Sequence, residues 1–207
     1  MNFLVTAGPT REYFDTVRFI SNPSSGKMGY AIARAAAYRG HKVTLVTGPV
    51  SIKPPKKVTV VPVVTAAEMA RACKRAFVYA DVAVMTAAVC DYRPKKRLRQ
   101  KLEKQARGKR VELEPTEDIA TSLGKRKRDR ILVAFAMEDH DPYARAERKL
   151  KKKNCDLMVL NGPANVGWDE AVVELYTPKE GWGKPMRGTK AALARRLVKI
   201  IESMWAS

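Results

Sequence analysis

Histidine and cysteine are scarce. The chain has two histidines, His41 and His140, and three cysteines, Cys73, Cys90 and Cys155. The cysteines lie far apart and no Cys-x-x-Cys occurs, so neither a zinc site of the usual spacing nor a disulfide framework is expected, and three reduced thiols in a cytoplasmic protein are. No Ser-His-Asp or Cys-His arrangement can be defended, so no protein nucleophile is expected either. Long apolar runs are also missing. None approaches the ~20 residues that span a bilayer, and the start, Met1-Asn2-Phe3-Leu4-Val5, has no basic leader and too short an apolar stretch for a signal peptide. Neither a Gly-x-Gly-x-x-Gly fingerprint nor a Walker loop is present; Gly26-Lys27 lacks the upstream glycine. Acidic residues are few: 21 against 40 Lys and Arg, a net charge of +19. That excess attracts polyanions in general and selects none of them. Nine of the sixteen residues from 95 to 110 are basic, and further clusters lie at 125–130 and 145–153. A nucleic-acid-binding module would use such charge, with steep salt dependence, but no reading-head motif or aromatic-interleaved basic strand accompanies it.

What the sequence does have is alternation. Continuous apolar runs at 2–6, 42–46, 58–63, 82–85, 131–135 and 157–160 fit strands buried on both faces of a parallel sheet. Helical stretches separate them: 25–39, closed by Gly40 as C′ residue; 65–76, opened by a Thr65–Glu68 capping box; 142–152; and 190–205. The order predicts an α/β fold with a doubly wound, mostly parallel Rossmann-like sheet. A length of 207 residues suits one domain, 1–207. Residues 92–116 break the rhythm. They are basic, with one short strand-like piece at 110–113, and read as a flap or hairpin arm outside the main sheet. A Rossmann-like oxidoreductase is the competing enzyme reading. Against it stand the missing fingerprint and Thr47-Gly48 where an acidic residue would close the second strand.

In such sheets ligands bind at the carboxyl ends of the strands. The loop after the first strand is long and ends in Asn22-Pro23-Ser24-Ser25-Gly26-Lys27. Its serines can present hydroxyls and backbone N–H groups to an anion, or one of them can simply be the helix N-cap; the spacing leaves both open. Asn22 carries amide donors suited to an oxyanion, or to turn chemistry. Lys149 and Lys153, four residues apart, share a helix face.

The residues Gly8-Pro9-Thr10-Arg11-Glu12, Asp15, Val17-Arg18 and Ile20-Ser21-Asn22-x-Ser24-Ser25-Gly26-Lys27-Met28-Gly29 resemble the signature of the phosphopantothenate–cysteine ligase family. So do Ala87-Ala88-Val89-Cys90-Asp91-Tyr92-Arg93, Lys101-Leu102-Glu103-Lys104, Pro115-Thr116-Glu117-Asp118-Ile119, Ala134-Phe135-Ala136-Met137-Glu138 and Lys149-Leu150-x-x-Lys153. The resemblance covers nearly the whole chain, in order. It implies a ligase that joins 4′-phosphopantothenate to L-cysteine through an acyl-nucleotide, using CTP (or ATP) and Mg²⁺. It implies catalytic roles for Asn22 and for the flap lysine Lys101. The nucleotide site it implies comprises Ala87, Ala88, Asp91, Lys101, Glu117, Asp118, Ile119, Ala120, Phe135, Lys149 and Lys153. Ser24, Gly26, Gly29, Asn22 and Asn161 would hold phosphopantothenate; no metal ligands are assigned. A homodimer, with the flap at its interface, and a separate flavin-binding decarboxylase protein complete the expectation; no membrane or specific nucleic-acid partner is implied. The chain departs from the family at Leu160-Asn161-Gly162, where Ala-Asn-Asp is usual, and after Gly167-Trp168, where an asparagine is missing. Glu103 and Cys90 replace a lysine and a small residue. These changes bear on base recognition and metal binding.

Overall fold

The apolar runs become the strands and the Ala-rich stretches the helices. The computed structural model describes residues 1–104, 108–162, 165 and 167–206. In chain order the first half holds β1 (Asn2–Ala7), β2 (Arg11–Tyr13), β3 (Phe19–Ser21), α1 (Lys27–Tyr38), β4 (Lys42–Thr47), β5 (Thr59–Pro62), α2 (Ala66–Phe77) and β6 (Val82–Met85). The second half holds β7 (Tyr92–Pro94), β8 (Leu113–Pro115), α3 (Ile119–Gly124), β9 (Ile131–Met137), α4 (Pro142–Lys153), β10 (Leu157–Asn161), β11 (Glu170–Thr177), β12 (Gly181–Trp182), β13 (Met186–Thr189) and α5 (Lys190–Ala206).

The main sheet runs β5-β4-β1-β6-β9-β10-β11-β12, with β13 beside β11. The first six strands are mutually parallel; β11, β12 and β13 extend the sheet antiparallel. The chain winds outward from β1 through β4 to β5, then returns to β6 on the other side of β1. That reversal is a topological switch point, and a crevice opens there at the strands' carboxyl ends. Alternate residues of each strand feed two cores. Phe3, Val5, Val43, Leu45, Val84, Val133 and Val159 pack under α1 and α5. Leu4, Val46, Ala83, Leu132, Ala134 and Met158 pack under α2, α3 and α4. Burial of both faces is why these strands read as unbroken apolar runs.

The Thr65–Glu68 capping box forms in full. Gly40 takes the left-handed conformation past α1, at φ 86°. Two expectations are revised. Helix α1 starts at Lys27, because Gly26 is its N-cap at φ 74° and breaks the run from residue 25. The flap strand is Leu113–Pro115 rather than 110–113. It pairs with β7, and the cross-strand ion pairs Arg93–Glu114 and Lys95–Glu112, both at 2.8 Å, fix that register. This hairpin is a two-stranded sheet separate from the main one; residues 105–107 of the predicted flap lie outside the described residues. The β2–β3 hairpin and the β11–β13 extension were not anticipated. The three-residue strands of that hairpin carry no usable period.

Candidate functional site

A cavity of about 510 Å³ occupies the switch-point crevice, within the usual range for small-molecule sites of about 300–1,000 Å³. Its floor is the ends of the central strands. Thr6, buried in β1, accepts hydrogen bonds from the backbone N–H groups of Thr86 and Ala87, each at 3.1 Å, and the Thr86 hydroxyl donates back to the Thr6 carbonyl. These bonds tie the loop after β6 to the end of β1.

The first loop is largely scaffold. Thr10 Oγ1 accepts from the N–H of Cys90 at 3.0 Å, Ser21 donates to the Thr10 carbonyl at 2.7 Å, and Glu12, buried, accepts from the N–H of Ala66 at the start of α2 at 2.7 Å. Asp15 is fully buried. Its carboxylate accepts from the N–H groups of Val17, Arg18 and Leu102 and pairs with the Arg18 guanidinium at 2.9 Å; Arg18 also donates to the Leu102 carbonyl. Burial pushes the Asp15 carboxyl up, but these donors and the Arg18 charge outweigh it and bring it down to about 2. The knot fastens the flap, at Leu102, to the first loop.

On one wall, Asn22 donates from Nδ2 to the carbonyls of Ala88 at 3.3 Å and Val89 at 3.1 Å. Ser24 and Ser25 do not cap the helix. Ser24 Oγ accepts from the N–H of Gly26 at 3.3 Å, and α1 begins with no side-chain cap and no acidic residue in its first turn. Such a helix end faces the cavity with unpaired N–H groups and favours an anion. Gly29 lets that turn press onto the sheet: a Cβ there would lie 2.5 Å from Thr86 Oγ1 and 2.6 Å from Ala7 Cβ.

On the opposite wall, Asp118 caps α3, accepting from the N–H of Thr121 at 3.0 Å, and pairs with Lys153 at 3.1 Å. Burial pushes its carboxyl up, but the Thr121 N–H and Lys153 together hold it below the usual range. Glu117 is held low chiefly by its hydrogen bond from Lys74, joined by one from Ser122. Lys153, half-buried, is thus held at the cavity wall by Asp118.

The structure gathers Asn22, Ser24, Gly26, Gly29, Ala87, Ala88, Asp91, Glu117, Asp118, Ile119, Ala120, Phe135, Lys153 and Asn161 around this one cavity. Lys101 and Lys149 are not on its wall. Lys101 is exposed on the flap beside the anchored Leu102, and the Lys149 ammonium is paired with the buried carboxylate of Glu138, which also takes Arg145 at 2.6 Å. Two lysines of the wall, Lys27 and Lys190, were not singled out as site residues. Lys27 lay inside a motif read for its glycines and serines, and Lys190 begins a helix that carries no chemical signature. Among the described residues no cluster of three or more His, Cys, Asp or Glu could hold a metal ion, and no helix is long and apolar enough to cross a membrane. Asp91 is the cavity carboxylate without a side-chain partner among the described residues.

The family described as DNA/pantothenate metabolism flavoprotein C-terminal domain matches residues 1–204. The coenzyme A biosynthesis bifunctional protein CoaBC of Bacillus subtilis (strain 168) is 43% identical over 178 residues, which are 84% of this chain and 44% of that protein. The crystal structure of the C-terminal domain of a coenzyme A biosynthesis bifunctional protein CoaBC matches with a TM-score of 0.83 at 39% identity, covering 98% of this chain and 94% of that one. A mutant of Cab2, solved in complex with phosphopantothenate-cysteine, shares the fold with a TM-score of 0.82 at 18% identity, covering 99% of this chain and 87% of that one. The chain spans about half the length of the curated relatives it matches.

Proposed function

Because the chain belongs to the DNA/pantothenate metabolism flavoprotein C-terminal domain family, we propose that it is a ligase of coenzyme A biosynthesis. It joins 4′-phosphopantothenate to L-cysteine at the expense of a nucleoside triphosphate, CTP in preference to ATP. The observation that carries this reading is one cavity with anion-binding groups on two of its walls. The free N-terminus of α1 and Asn22 stand on one side, and Lys153 held by Asp118 on the other. A phosphorylated acid and a nucleotide can meet there.

In the first step a carboxylate oxygen of phosphopantothenate attacks the α-phosphorus of the nucleotide, the bond to the β-phosphate breaks, and pyrophosphate leaves. Lys153 stabilises charge on the phosphates. In the second step the cysteine amine attacks the acyl carbon, the nucleoside monophosphate departs with the bridging oxygen, and the amine loses a proton. Asn22 acts here. Its amide nitrogen is held by Ala88 and Val89, so its Oδ1 is the group left to accept a hydrogen bond from the attacking amine, rather than its Nδ2 being free to donate to an oxyanion. Mg²⁺ neutralises phosphate charge when bound. With no protein cluster for it among the described residues, it fits as an ion carried by the triphosphate, with Asp91 the available carboxylate.

Lys101 and Lys149 reach the nucleotide only after moving, Lys101 with the flap and Lys149 by leaving Glu138. A homodimer that packs the flap against a second copy would supply the first of these motions.

Pyrophosphate release by the purified protein tests the reading. Release with CTP and Mg²⁺ that requires 4′-phosphopantothenate, with phosphopantothenoylcysteine formed only when cysteine is added, is expected. A folded protein that releases pyrophosphate with neither CTP nor ATP would sink it.

A further inference from the structure

Two lysines that begin helices converge on one short segment at the rim of the cavity. Lys27, the first residue of α1, donates from Nζ to Asp169 Oδ1 at 2.6 Å and to the Gly167 carbonyl at 3.2 Å. Lys190, the first residue of α5, donates from Nζ to the Asn165 carbonyl at 2.9 Å. Both lysines line the cavity, while Asp169 is exposed, with its side chain 80% accessible, and does not. Asp169 is therefore a counter-ion bound from outside to a cation that also faces in. Lys190 is half-buried, and burial, with the nearby Lys27 charge, lowers its pKa. The pair of ammonium groups is short of negative charge, since one exposed carboxylate serves both.

We propose that Lys27 and Lys190 form a subsite for a phosphate monoester, and that Asp169 is a built-in counter-anion which the phosphate displaces. The inference rests on the ligase reading for the identity of the ligand, the phosphate of 4′-phosphopantothenate. A dianion set between the two ammonium groups makes charge-assisted hydrogen bonds to both, and Asp169 gives up Lys27. Occupancy is thereby coupled to Gly167 and Asp169, which lose a donor when Lys27 turns inward. An ion pair that is only a strut and one that is a displaceable competitor respond oppositely to removal of the carboxylate. Without a competitor, the lysine is freer to meet phosphate and affinity rises; without a strut, the rim loosens and affinity falls.

The intervening Trp168 is 71% exposed and reports on this exchange. In a chain carrying Trp182→Phe and Trp205→Phe, inorganic phosphate and 4′-phosphopantothenate should each change Trp168 emission, and pantothenate, without the phosphate, should not. By calorimetry on the otherwise unchanged chain, Lys27→Met and Lys190→Met should each weaken 4′-phosphopantothenate about tenfold or more, the loss of one charge-assisted contact. Asp169→Asn should tighten it. Lysine variants that bind within about twofold of the original protein, or an Asp169→Asn that binds more weakly, overturn the subsite while leaving the ligase reading in place. A phosphate response that needs Lys27, in a protein that ignores 4′-phosphopantothenate, keeps the anion subsite and removes the ligase reading. No response to any of these ligands removes both.

Discussion

Asn22 is placed by two carbonyls of another loop, not by its own turn. Asn22→Asp would set a carboxylate against the Ala88 and Val89 oxygens and lose both donors. We expect it to retain phosphopantothenate-dependent pyrophosphate release while amide formation falls on the order of 10²-fold, the cost of misplacing a group that positions the attacking amine, measured as acyl-nucleotide accumulating in a quenched reaction. Asp15 makes a pH prediction. Its folded carboxyl, at about 2, lies below the ordinary 3.8, so its contribution to stability is complete above the ordinary value and is lost as pH falls through the folded one. Asp15→Asn presents an amide nitrogen to the Leu102 N–H and the Arg18 guanidinium, and should lower the urea midpoint at neutral pH. The gap to the unchanged protein should stay constant down to about pH 5 and close toward about pH 2; a gap that persists there would contradict the assignment. At this scale the sequence was a partial guide. The residues placed by backbone near strand ends, such as Ala88, Asp91 and Asn161, lie around one cavity. Lysines did not follow, because a long cation goes to whichever carboxylate the fold brings near: Lys149 to Glu138, Lys27 to Asp169.

Helix α1 shows how an element serves the site. Its Ala-rich inner face and Gly29 bring the first turn against β1 and the loop after β6. Gly29→Ala would drive a methyl into Thr86 Oγ1, Ala7 Cβ and the Thr6 carbonyl, lifting the helix start away from the crevice. We expect a loss of about 1–3 kcal/mol in equilibrium unfolding together with weaker phosphopantothenate binding; a variant with unchanged stability would show that the contact is not tight. Elements with strong local signals were legible: the Thr65–Glu68 box and the buried parallel strands. Those defined by partners were not. The β2–β3 hairpin has three-residue strands, and β11 alternates between a face covered by the chain and an exposed one, a pattern fixed only once β10 and β13 are beside it. The flap register was missed by a few residues because cross-strand ion pairs set it, not composition.

At the scale of the whole molecule, winding order decides where chemistry can happen. Two cores, one on each face of the sheet, hold β1 and β6 side by side, and the reversal between them leaves one crevice into which the first loop, the loop after β6 and the starts of α1, α3 and α5 all project. The net charge of +19 is spread far beyond that crevice, whose wall takes in Lys27, Lys153 and Lys190. The central claim is that a carboxylate is activated in this crevice by attack on the α-phosphorus. The direct test labels the carboxylate of 4′-phosphopantothenate with ¹⁸O and follows the isotope by mass spectrometry through a full turnover with cysteine, CTP and Mg²⁺. The account predicts one labelled oxygen in the nucleoside monophosphate and none in pyrophosphate. Label in inorganic phosphate, with a nucleoside diphosphate as the other product, would mean activation at the γ-phosphorus and would contradict it.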